Sequence, residues 1–390
     1  MTEKGGVTLS MRWVRKSVML VAQYNAHSSA GQSGSALAGR AIAVPHLSRG
    51  HPMTALPSAY PEASSQMPAA AELAYRMDGA RLARELSSIS VVSWQKQRTH
   101  VLGVDGESEL GTTSPPTEIE WRVLPLWSIG GDADRTDPGG PEDKGYAPTI
   151  WWSRLPYMRE VVSAIPVPFN SVRLMALGPG ASSDEHCDPK YDVRRGFCRL
   201  HIPVLTNPDA ILVLDGVRYC WAPGRLWYGD FGRLHRVENR GAEVRVHLVI
   251  DALMTSDLVQ LFPARFRRTF EDHGALFNSF ASAYADCTPW AHARKFAIPR
   301  SFLNFTDDAP LETSEPKLSV ELNYSDHNVS MKTVNGTVLA MTPVGGSRFR
   351  FSGWSDQRTV VVDDGSIVLE SRFGHDRRAS RIFDQADSDH

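Results

Sequence analysis

Cysteine is scarce: Cys187, Cys198, Cys220 and Cys287 are the 4 thiols among 390 residues, and no two have CxxC spacing. So few cannot staple a chain of this length, which excludes a disulfide scaffold and leads to the expectation of reduced thiols in a cytoplasm. An excess of charge of one sign is also missing, with 42 Lys plus Arg against 44 Asp plus Glu and a formal charge of −2. That balance gives no footprint for wrapping nucleic acid or coating an anionic membrane. No window approaches the roughly 20 apolar residues that cross a bilayer. Arg12, Arg15 and Lys16 precede the apolar run Val18 to Ala22, which is shorter than a secretory core of about 7 to 15 residues. The sequence contains no repeat, heptad pattern, P-loop or GxGxxG. What remains is average for a globular chain, 42% hydrophobic and 22% charged, with length for two or three domains.

From about Ala26 to Ala71 the chain is rich in Ser, Ala, Gly and Pro, with Tyr60 as its one aromatic. This composition cannot offset the entropy of ordering, so residues 1–70 read as a disordered leader, or translation starts at Met53, Met67 or Met77. Helical spacing is expected at Ala71–Arg76 and Ala80–Leu86, strands at Ile89–Trp94 and Glu118–Trp127, and a short helix at Tyr157–Ala164. Between Ser171 and Asp251 five apolar, β-branched runs follow: Val172–Leu177, Cys198–Leu205, Ile211–Leu214, Val217–Trp221 and Val244–Ile250. Asp215-Gly216 between two of them predicts a type I′ hairpin, because both central residues of that turn need positive φ. Many short strands with regular turns make a sandwich or barrel. Aromatic residues at helical spacing then run from Leu258 to Tyr284. From Lys317 alternation returns, with turns at Asn335-Gly336, Gly345-Gly346 and Asp364-Gly365. The expected plan is a leader (1–70), a β domain (71–254), a helical segment (255–298) and a small β-rich unit (299–390).

The stretch that carries chemistry is His186-Cys187-Asp188, followed by His235 and Arg245. In extended backbone, residues two apart share a face, so His186 and Asp188 can present an imidazole and a carboxylate to one ion. Two His and one carboxylate on one face of an octahedron leave the other face open, the arrangement of non-haem Fe(II) oxygenases. Alone, such a tripeptide is more often a surface loop. Here both histidines follow an apolar run and a turn, where a barrel mouth would be. Arg245 lies in a run that is otherwise apolar, and a buried Arg needs an anion: either a bound dicarboxylate, or simply Glu243 or Asp251. Arg199-Leu-His201 repeats the Arg-x-His pattern of Arg245-Val-His247. Cys187 points away from its neighbours and reads as packing.

These residues carry a resemblance. The strand ending in Pro179-Gly180, His186-Cys-Asp188, Arg199-Leu-His201-Ile-Pro, Trp221 to Trp227, His235-Arg-Val-Glu-Asn239 and Arg245-Val-His-Leu-Val resemble the aspartyl/asparaginyl β-hydroxylase family, whose bacterial members include free-proline hydroxylases. The resemblance implies a mainly β, double-stranded β-helix (jelly-roll, cupin-like) fold with flanking helices. It implies Fe(II), 2-oxoglutarate and O2, with His186, Asp188 and His235 as iron ligands. Arg245 would hold the distal oxoglutarate carboxylate, and Arg199 and His201 would lie near the cosubstrate's other end. The implied reaction hydroxylates an unactivated carbon of an amino acid or peptidyl residue and releases succinate and CO2. Halogenating relatives replace the acidic ligand with a small residue, so Asp188 argues for hydroxylation. Trp227, Tyr228 and Arg173 are pocket candidates on position only. Two other readings stay open: a cupin-type metal enzyme without oxoglutarate, and a non-catalytic jelly roll that binds a peptide or small acid.

Overall fold

The computed structural model describes residues 67–383 except 90–93, 102–111, 114–115, 284–292, 306–310, 312–313, 326–327 and 364–365. The expected leader lies outside the described residues as far as 66. Strands make up 43% of the described residues and helices 17%, the mainly β class expected. None of the described helices is long and apolar enough to cross a membrane.

The N-terminal part is a double-stranded β-helix of two facing sheets. The larger has the core order Ala70–Arg76, Arg225–Gly229, Phe197–Leu205, Arg245–Leu253, Phe169–Leu177, Trp121–Ile129. The smaller has the order Val217–Tyr219, Ala210–Leu214, His235–Asn239. Period-two alternation explains how the central strands serve two environments at once. Val246, Leu248, Ile250 and Ala252, with Leu200, Ile202, Val172 and Leu174, pack in one apolar cluster with the helical residues Leu82, Leu86, Met158, Val162 and Phe270. The intervening residues Arg245, His247 and Asp251, Arg199 and His201, and Ser171 and Arg173 turn to the interior between the sheets, where all but the partly covered Arg199 are buried.

The hairpin at Asp215-Gly216 forms as expected, with φ of 53° and 74° between Leu214 and Val217, which pair directly. Arg225–Gly229 is the strand expected ahead of His235, whereas His235–Asn239 is a strand that the apolar runs did not include, because His235, Arg236, Glu238 and Asn239 leave Val237 as its one apolar residue.

Two expectations are corrected. Ala71–Arg76 is not helical: Ala70–Arg76 is an edge strand paired with Arg225–Gly229. Its apolar residues satisfy either period over so short a run, and the free sheet edge decides. The aromatic run from Leu258 is not one helix. It breaks into Ser256–Val259 and Ala264–Asp272, and Leu276 to Ala283 follow without helix. Pro263 and Gly274, the latter at φ 73°, stop propagation at both ends.

The chain closes with eight antiparallel strands in sequence order, from Arg294–Pro299 to Asp376–Phe383, forming a barrel-like sheet. This sheet starts at Arg294, inside the segment expected to be helical. Its buried residues Phe296, Val320, Leu322, Met331, Met341, Phe349 and Leu369 share one core with Phe197, Trp221 and Leu253 of the β-helix. Polar ties fix the junction. Asn278 Nδ2 donates to the Gly196 and Met254 carbonyls at 2.8 and 3.0 Å, while its Oδ1 accepts from Asp356 N at 2.8 Å. Arg350 Nη1 donates to the Ser279 carbonyl at 2.7 Å and to Asp356 at 3.1 Å. Gly353, at φ +87°, lies so close to the Gly140 carbonyl that a Cβ would sit 2.2 Å from its oxygen.

Candidate metal centre

The jelly roll brings His186, Asp188 and His235 together, with one donor atom of each within 4.8 Å of the others. A backbone bridge sets the two histidines opposite one another: His186 N donates to the His235 carbonyl at 2.9 Å, and His235 N to the His186 carbonyl at 2.8 Å. Their ring centroids are 4.3 Å apart. In each ring Nδ1 faces a backbone carbonyl, that of Asp184 at 2.8 Å and of Arg233 at 2.9 Å. Such carbonyls accept the Nδ1 proton and leave Nε2 as the free donor, the way ligand histidines are oriented. Burial lowers the pKa of His235, which favours the neutral ring a metal needs.

Asp188 is held from behind. Its Oδ2 accepts from Arg199 Nη1 at 2.8 Å, and its Oδ1 lies 3.9 Å from His186 Nε2. The other nitrogens of Arg199 are engaged too, Nε with Asp251 Oδ1 at 2.7 Å and Nη2 with the Tyr191 hydroxyl at 2.5 Å. Asp251 Oδ2 accepts from Arg173 at 2.6 Å and from Ser171 at 2.7 Å. Asp251, buried between two guanidinium groups, has its carboxyl pKa held far below the usual range: burial alone would raise it, and Arg199 and Arg173 overcome that. A relay of charges therefore runs from buried Arg173 and Asp251 through the partly covered Arg199 to the carboxylate of the cluster.

Arg245 is in the opposite condition. It is 6% exposed, its Nη2 donates to His247 Nδ1 at 2.8 Å, and among the described residues no carboxylate pairs with it. Neither Glu243 nor Asp251 is its partner, and Asp251 is taken by Arg173 and Arg199. Burial pushes the guanidinium down to about 9, the mark of a cation lacking an anion. Beside it, His201 Nε2 and the indole N–H groups of Trp221 and Trp227 are buried without partners among the described residues. The Trp221 ring stacks on Trp227 at 5.4 Å and lies 5.4 Å from His201. Burial also holds His201 and His247 well below the usual histidine pKa, with Arg245 adding to the effect.

One cavity of about 820 Å³ is lined by the three cluster residues together with Arg199, His201 and Arg245. The three pocket candidates do not reach it. Arg173 is 0% exposed and committed to Asp251, and Trp227 is stacked on Trp221, which does not line the cavity either. Tyr228 turns to the helical side, against Phe262 at 5.2 Å. Arg199 lines the cavity, but its guanidinium is spent on Asp188, Asp251 and Tyr191 rather than left for a cosubstrate. Sequence reasoning missed Lys190, Phe231, Phe305 and Trp354, which also line the cavity. Lys190 and Phe231 lie within a few residues of the cluster, whereas Phe305 and Trp354 gave no signal at all.

A jelly roll with two imidazoles and a carboxylate at its mouth has the architecture of a mononuclear-metal dioxygenase. Residues 81–254, a little under half of the chain, match the Aspartyl/Asparaginyl beta-hydroxylase family. Solved structures with partial likeness include a 2OG-Fe(II) oxygenase family oxidoreductase from Burkholderia pseudomallei, 11% identical over 36% of this chain and 72% of that one, TM-score 0.26. A Pseudomonas putida prolyl-4-hydroxylase is 15% identical over 47% of this chain and 92% of its own, TM-score 0.28. AviO1 from Streptomyces viridochromogenes is 14% identical over 48% and 91%, TM-score 0.30. No curated protein matches the chain.

Proposed function

We propose that the protein is an Fe(II)- and 2-oxoglutarate-dependent dioxygenase that hydroxylates an unactivated carbon of an amino acid or peptidyl residue, with release of succinate and CO2. The observation that carries this reading is the pairing, in one cavity, of the three-donor cluster with a buried arginine that has no carboxylate partner among the described residues. The donor set suits Fe(II): two imidazole nitrogens and one carboxylate oxygen. The Nε2 atoms of His186 and His235 and Oδ1 of Asp188 would hold the ion, which when bound would supply the redox chemistry joining oxoglutarate decarboxylation to O2 activation. The Asp184 and Arg233 carbonyls keep both rings in the donating tautomer. By occupying Oδ2, Arg199 limits Asp188 to one oxygen. Arg245 would take the distal carboxylate of oxoglutarate as a bidentate pair, and His201 and the unpartnered indole N–H groups lie on that side.

The test is anaerobic loading of the full chain with Fe(II), then succinate formation from oxoglutarate and O2. His186→Ala and His235→Ala are expected to lose both metal binding and turnover while their thermal melting stays close to that of the parent. Metal retention with full turnover in either variant would refute the assignment.

A further inference from the structure

One end of the cavity has no part in the proposed metal or cosubstrate binding. Lys190 lies there, its Nζ donating to the Gly139 carbonyl at 3.0 Å and standing 5.1 Å from the Phe197 ring centroid and 5.8 Å from that of Trp354. Among the described residues no carboxylate pairs with this ammonium. Phe197 pairs with Leu253, at the opposite end of the strand from Arg245, so the two cations mark opposite ends of the site. The wall beside Lys190 comes from two connections of the C-terminal sheet, Phe305 lying between the strands Arg294–Pro299 and Lys317–Ser325 and Trp354 between Arg348–Phe351 and Arg358–Asp363. Phe305 and Trp354 line the cavity, with ring centroids 5.1 Å apart, and Ser355 Oγ donates to the Arg195 carbonyl to seat the loop.

We propose that this end is the substrate subsite and takes a small carboxylic acid with an apolar body, its carboxylate on Lys190 Nζ and its body against Phe305 and Trp354. The inference rests on the dioxygenase reading and deepens it. Charge favours an anion at this end, since two lining cations lie there, Lys190 and Arg195, the latter with Nη1 3.5 Å from the Phe305 carbonyl, while Asp188 is already paired with Arg199. A cationic guest is disfavoured although the wall is aromatic, because Lys190 already lies over Trp354 and Phe197 and would repel a second cation there. A free carboxylate suits an ammonium held by only one carbonyl, and it separates a free acid from an internal peptide residue, which has none to offer. The C-terminal sheet is then part of the active site, so specificity is set by a region outside the family match.

The experiment uses the full chain loaded with Fe(II) and oxoglutarate, and a panel of L-amino acids and aliphatic and aromatic monocarboxylic acids, each beside its primary carboxamide. At least one acid is expected to stimulate oxoglutarate turnover, and its carboxamide to fall by about tenfold or more in kcat/KM, the loss when one hydrogen bond between charged groups goes. Lys190→Met should raise KM for that acid at least about tenfold more than KM for oxoglutarate, and Lys190→Arg should recover part of the loss. An equally good carboxamide, an unchanged KM in Lys190→Met, or a panel without stimulation in an enzyme that decarboxylates oxoglutarate alone would overturn the proposal. An enzyme inert toward oxoglutarate would instead overturn the dioxygenase reading. In that case quenching of tryptophan fluorescence by the same acids decides the subsite: quenching absent with carboxamides and lost in Lys190→Met supports it, and no quenching by any acid sinks it.

Discussion

Arg199 Nη1 lies 2.8 Å from Asp188 Oδ2, so the acidic member of the cluster is fixed by a guanidinium that is itself anchored on buried Asp251. Replacing Asp251 with Asn keeps the shape and removes the charge that both Arg199 and Arg173 answer. Losing one partner of a buried ion pair costs about 3–5 kcal/mol, and disturbing the support of a metal ligand lowers affinity about 10- to 100-fold. Asp251→Asn should therefore melt earlier and bind Fe(II) or Mn(II) more weakly, as read by thermal denaturation and metal titration. Parental metal affinity in a folded Asp251→Asn protein would show that the relay does not position Asp188.

Arg245 should govern cosubstrate affinity. Truncation to Ala leaves the distal carboxylate of oxoglutarate unpaired and should weaken its binding by about 2–5 kcal/mol. Metal loading should persist, because no cluster residue contacts Arg245 among the described hydrogen bonds. Titration of oxoglutarate into the Mn(II)-loaded variant checks this, and an unchanged affinity would move the carboxylate elsewhere.

Acid should destabilise the protein through two buried histidines. His201 and His247 are kept neutral in the fold, with pKa values well below the usual one, whereas the unfolded chain protonates them below about 6.5. The unfolded state then binds more protons, so the stability present above pH 6.5 is lost as pH falls, at up to about 1.4 kcal/mol per pH unit for each ring. Glutamine at 247 still offers Arg245 an acceptor and removes one titrating group. Denaturant unfolding of His247→Gln between pH 7 and 5 should show a shallower loss than the parent, and parallel curves would refute the neutral-histidine account.

The two ends of the chain should respond differently to deletion. No described cavity residue precedes Gln97, so removal of residues 2–66 should leave metal binding intact. Deletion to Met77 should not, because it takes away the strand Ala70–Arg76 and the Met67 carbonyl that accepts from Arg233 at 2.8 Å. Truncation at Pro299 strips Phe305 and Trp354 from the cavity and uncovers the core shared with Phe197 and Trp221; it should yield aggregating protein. Gly353→Ala is the milder test, since its Cβ meets the Gly140 carbonyl, and it should lower the melting temperature. A soluble truncation at Pro299 with parental metal binding and turnover would show the sheet to be separate from the site.

Much of the β-helix was legible in the chain because its information is local. Period-two alternation in Val172–Leu177, Cys198–Leu205 and Val244–Ile250 fixes which side chains meet the helices and which face inward, and Asp215-Gly216 fixes a hairpin by its φ values. The spacing of His186 and Asp188 likewise places two donors on one side of one segment. Partnership was not local. Arg245, Arg199 and Arg173 are alike in sequence, each an arginine in an apolar strand, yet Asp251 neutralises two of them and leaves the third without an anion. Ala71–Arg76 was ambiguous in period until the edge beside Arg225–Gly229 received it. Phe305 and Trp354 reach the cavity only because the last sheet docks through Asn278 and Asp356. The chain's own pattern determined strands, turns and donor types, since those depend on neighbours within a few residues. Tertiary structure decided which charges cancel and what closes the cavity, since those depend on groups brought together from distant strands.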